Sequence, residues 1–199
     1  EGQYILKIVP DEEWMNDPDR SYPVTIDPTL EKSTADSNDF VIRDVYVVEG
    51  DSSTYYPYGN TIAYIGHGAS ADAQTHRMFT EFRKLPQIPA GSVITGAKLY
   101  YYQQMYDPYS DTRTPFFYLD AKEVTAGLDW TNGVTWDSQP TYKNTVLDSQ
   151  KISEETTGKY VGWDLTSVIK KKYEEGNDEK FAAVALVPDD EESISSVKY

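Results

Sequence analysis

Two histidines, thirty-three carboxylates, seventeen tyrosines and no cysteine hold whatever chemistry this 199-residue chain can do. His67 and His76 lie nine residues apart, which matches neither the HExxH pattern nor the paired spacing of a zinc site. The lack of cysteine removes thiolate nucleophiles, Cys-ligated zinc and disulfides. Serine, histidine and aspartate all occur, but not the Gly-x-Ser-x-Gly turn that would present a nucleophile. Glu81 and Asp120 each fall in a strand-like run and could face one groove, as the two carboxylates of a glycoside hydrolase do. A chain this acidic brings such pairs together by chance, so solvated surface is the simpler expectation. Calcium asks for less: the acidic stretch Asp36-Ser37-Asn38-Asp39 offers hard oxygen ligands without the order of an EF-hand, and a structural calcium ion is the metal to expect.

The tyrosines point to binding rather than bond-breaking. A pyranose ring presents a C–H surface that stacks on a flat aromatic face, and Tyr adds a hydroxyl at the rim. In Ala97-Lys98-Leu99-Tyr100-Tyr101-Tyr102 the period of two puts Leu99 and Tyr101 on one face and Lys98, Tyr100 and Tyr102 on the other. The lysine marks the second face as wet, so Tyr100 and Tyr102 are the leading platform candidates, unless another element covers them. Tyr56 and Tyr58 (in Tyr55-Tyr56-Pro57-Tyr58-Gly59-Asn60) and Tyr106 (in Tyr106-Asp107-Pro108-Tyr109) are expected on loops, where tyrosines serve recognition or pack the loop onto the body. In DWTNGVTWDSQP, Trp130 and Trp136 flank an Asn-Gly turn signal. Rings so placed can close a core or stack a sugar.

The elements that must carry these side chains read as strands. Short apolar, β-branched or aromatic runs recur at residues 41–48, 61–65, 78–82, 93–102, 116–124, 146–152, 160–163 and 181–187, separated by turn chemistry and without long helices between them. That pattern predicts an all-β, antiparallel sandwich of jelly-roll-like form. Alternation is clean through Phe117-Tyr118-Leu119-Asp120-Ala121 and fails at residues 122–124, which predicts a bulge. One short helix is expected near residues 165–175: Asp164 or Thr166 can cap it, Leu165, Val168, Ile169 and Tyr173 recur at helical spacing, and Gly176 can end it. Residues 32–39 are almost devoid of apolar side chains and read as a linker between residues 1–31 and a sandwich over 40–199.

Composition excludes some partners. A net charge of −15 repels phosphate backbones and anionic lipid surfaces, so neither nucleic acid nor membrane is an expected partner. The longest apolar run, residues 181–187, is far short of the roughly 20 residues that span a bilayer.

The ordered set of signals resembles the DNRLRE domain family, a β-sandwich module of secreted and surface proteins related to certain carbohydrate-binding modules. The resemblance spans most of residues 40–198. It rests on Asp44-Val45-Tyr46-Val47, on Arg77-Met78-Phe79-Thr80-Glu81-Phe82 with Leu85-Pro86, and on the stretch from Ile88-Pro89-Ala90-Gly91 through Thr95-Gly96-Ala97-Lys98-Leu99-Tyr100. The two-tryptophan run ending in Pro140 and Trp163-Asp164-Leu165-Thr166 complete it. The family implies a structural role for Trp130 and Trp136 at one end of the core. It also implies a basic residue at Arg77, which can meet an acidic sugar or pair with a carboxylate, and one more strand beyond Tyr199. Residues 14–28 resemble the segment that precedes such domains in large bacterial proteins with Rhs-type YD repeats, where residues 1–31 would be the tail of the preceding domain. The resemblance implies a non-catalytic carbohydrate-binding or adhesive module of a multidomain protein, secreted or on the cell surface, with a polysaccharide or cell-surface glycan and its own flanking domains as partners. A structural spacer or docking domain in a large shell-like protein is the alternative, and a polysaccharide hydrolase or lyase the third reading.

Overall fold

The computed structural model describes residues 42–54, 62–67, 74–83, 85–86, 88, 91–107, 116–126, 133–175, 182–191 and 196–198. The chain divides into two compact units, Glu1–Lys32 and Ser33–Tyr199; all of the described residues belong to the second.

That unit holds ten strands, β1 (Ile42–Val48), β2 (Tyr64–His67), β3 (Thr75–Phe82), β4 (Lys98–Gln103), β5 (Met105–Asp107), β6 (Phe116–Ala126), β7 (Thr141–Ser153), β8 (Lys159–Asp164), β9 (Ala182–Pro188) and β10 (Ser196–Lys198), with one α-helix among the described residues, α1 (Thr166–Glu174). Every strand pairing is antiparallel. The sandwich expected from the short alternating runs is therefore the fold. Several boundaries move: β4 begins only at Lys98, after an irregular stretch at residues 92–97, and β7 runs thirteen residues.

β3 organises the first layer. One of its edges pairs along its length with β1, from Ile42↔Phe82 to Val48↔His76. Its other edge is shared: β9 takes Met78 to Phe82, and β2 takes Thr75 and His76. β6 follows β9, and β7 follows β6. The predicted irregularity is present, with register shifts between Ala121 and Lys122, Lys122 and Val124, and Val124 and Ala126. In the second layer β4 pairs with β8. After Gln104, β5 pairs with β10, and β10 pairs in turn with β2, so β2 joins the layers at a corner. β10 thus has a partner on each edge.

Between the layers lies the main core, where Ile65, Met78, Leu99, Phe117, Leu119, Ile152, Trp163, Val184 and Leu186 meet. Trp163 on β8 is fully buried, and its indole Nε1–H donates to the Leu119 carbonyl of β6 at 2.7 Å. This satisfies the one polar atom that burying a tryptophan would otherwise strand. A second core covers the other face of the first layer: Val45, Val47, Phe79, Val124, Ala183, Ala185 and Val187 lie beneath Val134, with Trp136 and Tyr142 packed alongside. β9 is buried at all seven positions because apolar residues meet it on both faces, and its run of alanines and valines is the sequence mark of that.

α1 starts where it was expected, but its N-cap position is Leu165, between the two candidates. The Asp164 carboxylate accepts the Thr166 N–H at 2.8 Å, while Thr166 Oγ1 accepts the Ala97 N–H at 2.9 Å and pins the helix start to the segment entering β4. The Asp164 carboxyl is held below the ordinary range chiefly by the hydrogen bonds at Thr166. Gly176, the expected stop, lies outside the described residues.

Candidate functional site

The outward face of the β4–β8 pair carries the densest exposed aromatic surface. Register places Lys98 opposite Asp164, Tyr100 opposite Gly162 and Tyr102 opposite Tyr160. Leu99, Val161 and Trp163 point into the core, so alternation drives the other set to solvent. Tyr100, Tyr102 and Tyr160 are 55%, 45% and 72% exposed. The Tyr102 and Tyr160 rings meet edge to face, with centroids 5.3 Å apart and planes at 69°. Tyr100 lies over its partner glycine: a Cβ on Gly162 would fall 2.4 Å from Tyr100 Cε1 and 2.7 Å from Cδ1. The absence of a side chain at Gly162 lets the Tyr100 ring settle against bare backbone while it stays 55% exposed, as sugar stacking needs. One strand repeat separates Tyr100 from Tyr102, roughly 6–7 Å.

The platform is anchored from below. Tyr101 points inward between its two exposed neighbours, and its hydroxyl donates to Asp44 Oδ1 of β1 at 2.5 Å and lies 2.7 Å from Thr80 Oγ1 of β3. Burial pushes the Asp44 carboxyl up to about 6, against the lowering effect of the Tyr101 and Thr80 hydroxyls. Burial and the adjacent Asp44 carboxylate raise the Tyr101 phenol well above its ordinary value, so it remains a proton donor. At the far end of β4, buried Gln103 donates from Nε2 to the Ser153 carbonyl at 3.0 Å and to Thr157 Oγ1 at 3.2 Å. Its own carbonyl accepts the N–H of Gly158, whose φ of +74° turns the chain into β8.

Of the residues singled out in the sequence, Tyr100 and Tyr102 are brought together, and Tyr160 joins them. Tyr160 was legible in principle: Tyr160-Val161-Gly162-Trp163-Asp164 alternates just as β4 does. Tyr56, Tyr58 and Trp130 lie outside the described residues, as does the acidic stretch proposed for calcium. Among the described residues, no group of three or more His, Asp or Glu side chains is placed to hold a metal. Tyr106 is a correction. It lies in β5 rather than on a loop, only 4% exposed, stacked on Phe117 at 6.4 Å within the main core. No surface ligand can reach that ring.

Arg77 is a second correction. Its guanidinium forks onto Glu191, with Nε to Oε1 at 2.6 Å and the second terminal nitrogen to Oε2 at 2.7 Å, while Nη1 donates to Gln139 Oε1 at 2.8 Å. It also lies 4.3 Å from the centroid of the Trp136 ring. Partners across its whole edge and an aromatic face beneath it make Arg77 a clamp between β3, the turn before β7 and the segment after β9, rather than a sugar ligand. The carboxylate comes from Glu191, in the acidic stretch that follows β9. Trp136, half-buried, packs against the second core. The turn beneath it is tied by Thr135 N–H to Ser138 Oγ at 2.9 Å and Gln139 Nε2 to the Trp136 carbonyl at 2.7 Å. Gly133, with φ of +85°, packs so closely on Thr54 that a Cβ there would fall 2.6 Å from Oγ1, which explains the glycine after Asn132.

Glu81 and Asp120 do not form a hydrolytic pair. They flank β9 at Ala183 and Val187, four residues apart along that strand, hence separated by roughly 13 Å in the strand direction alone. Glu81 instead meets Arg83 at 3.2 Å, and Asp120 accepts from Ser149 Oγ at 2.7 Å and lies 3.7 Å from Lys122 Nζ. A cavity of about 250 Å³ opens elsewhere, floored by Val124, Val168, Ala182 and Ala183 and rimmed by Glu123, Lys143, Lys171 and Lys172. Glu123 is already paired there with Lys143 and Lys171. Among the described residues, no aromatic ring lines it.

An antiparallel sandwich that turns a stripe of exposed tyrosines to solvent is built as a binding module of the carbohydrate type. Residues 36–198 match carbohydrate-binding module family 96, and the chain belongs to that family. Among curated proteins it is similar to the tRNA3(Ser)-specific nuclease WapA of Bacillus spizizenii and the tRNA nuclease WapA of Bacillus subtilis strain 168, each 29% identical over 174 residues. The match takes in 85% of this chain but only 7% of the length of either relative.

Proposed function

We propose that this chain is a non-catalytic carbohydrate-binding module, of the DNRLRE type, within a large multidomain bacterial protein that is secreted or displayed at the cell surface. The observation that carries the reading is the exposed trio Tyr100, Tyr102 and Tyr160, with the Tyr100 ring packed against the bare backbone of Gly162. A polysaccharide is the ligand that such a face suits, each sugar ring covering one tyrosine and its hydroxyls reaching Lys98 and Asp164 at the end of the stripe. The relatives are named for tRNA cleavage, but the shared stretch is a small fraction of each. A net charge of −15 opposes a phosphate backbone here, so the role assigned to this module is attachment, with any cleavage lying in other parts of a longer protein.

Electrophoresis through gels containing neutral, amino-sugar or uronic-acid polysaccharides tests this. Retardation by at least one of them is expected, and Tyr100→Ala with Tyr102→Ala should abolish it at unchanged melting temperature. Retardation that survives the double substitution would move the site elsewhere. Release of reducing ends would instead make the module a hydrolase or lyase. The 7% share also suits a spacer or docking domain, a reading that silence in every gel combined with tight association to flanking domains would favour.

A further inference from the structure

The first layer carries an aromatic stripe of its own. Phe116 and Tyr118 sit two apart on β6, 36% and 41% exposed, with centroids 5.7 Å apart and planes at 82°. Phe117, Leu119 and Ala121, the alternate residues of the same strand, enter the main core. Phe116 and Tyr118 therefore face away from the second layer, while Tyr100, Tyr102 and Tyr160 face away from the first. The two stripes occupy opposite outer faces, roughly 20 Å apart if each layer contributes its side chains to a sheet separation of about 10 Å.

Phe116 has no hydroxyl to justify its exposure, and neither of the two cores absorbs it or Tyr118. The polar groups around the stripe are of the kind that meets sugar hydroxyls. Lys151, the register partner of Tyr118, holds its ammonium 4.4 Å from the Phe116 ring centroid. Asp189 locks the strand in place: its carboxylate accepts the Tyr118 N–H at 2.9 Å and its N–H donates to the Tyr118 carbonyl at 2.9 Å. Exposed rings on a held strand, a cation and the Asp189 carboxylate beside them repeat the chemistry of the β4–β8 face on the other side of the molecule.

Resting on the carbohydrate reading above, we infer that the Phe116–Tyr118–Lys151 surface is a second glycan site, so that one module holds two polysaccharide chains and bridges them. Calorimetric titration of the full chain with soluble β-1,4-linked hexasaccharides of glucose, of N-acetylglucosamine and of a uronic acid reads the number of sites. Aromatic proton shifts identify the faces. Two molecules of the bound hexasaccharide per chain are expected, with resonances of both stripes moving. Phe116→Ser with Tyr118→Ser should reduce this to one, and the milder Lys151→Ala, which leaves both rings in place, should weaken only this site, by about tenfold. One site per chain, with Phe116 and Tyr118 unmoved while Tyr100, Tyr102 and Tyr160 shift, would overturn the second site and leave the first. Silence towards all three sugars would overturn the carbohydrate reading and this inference with it.

Discussion

Tyr100 rests on Gly162 across the β4–β8 ladder, so closely that the ring occupies the space a side chain at position 162 would need. A glycine inside a strand ordinarily weakens it; here the ring covers the backbone that the glycine leaves bare.

Gly162→Ala should therefore act on binding before stability. The new methyl would meet Tyr100 Cε1 at 2.4 Å and lift the ring off the sheet. Polysaccharide retardation should fall to the level of Tyr100→Ala while the melting temperature changes little. Wild-type retardation in Gly162→Ala would mean that the seating of Tyr100 on Gly162 plays no part in binding.

Trp136→Ala should lower the unfolding free energy by about 2–3 kcal/mol, since the ring both covers the second core and supports the Arg77 guanidinium. Denaturant titration measures it. An unchanged midpoint with lost polysaccharide retention would reassign Trp136 from structure to ligand.

Trp163→Phe keeps most of the buried ring but strands the Leu119 carbonyl that Nε1–H satisfies. A loss of about 2–3 kcal/mol is expected from the missing hydrogen bond and the smaller volume. Stability equal to wild type would show that the carbonyl finds another donor.

Asp44 gives the sandwich a pH signature of defined sign. Folded, its carboxyl keeps its proton up to about 6; the ordinary value is 3.8. Between those values the native state binds more protons than the unfolded chain, so this group makes stability fall as pH rises, by on the order of 3 kcal/mol across the window. Below and above the window it adds no slope. Asp44→Asn, whose Oδ1 can still accept from Tyr101, should remove that slope from a series of unfolding curves at pH 3.5 to 6.5. Parallel curves for the two proteins would mean that Asp44 ionises normally in the fold.

The sequence by itself determined what depends on near neighbours along the chain. Period-two alternation told the wet side of β4 from the buried side, placed Tyr100 and Tyr102 outward, located the irregularity after Ala121 and marked the helix after Asp164, because the strand pleat and the helical turn are set within a few residues. Tertiary structure alone decided the rest. Tyr160 joins Tyr102 only through the β4–β8 register, and Arg77 finds Glu191 at a separation of 114 residues. Tyr106 reads as loop because proline and aspartate surround it, yet β10 pairs with β5 and draws that segment into a sheet whose inner face is the core. Phe116 and Tyr118 alternate as cleanly as Tyr100 and Tyr102, but only the sandwich turns the two stripes to opposite sides. Strand pairing is a long-range choice among many edges, made by the summed burial of both layers, and no local window of sequence contains it.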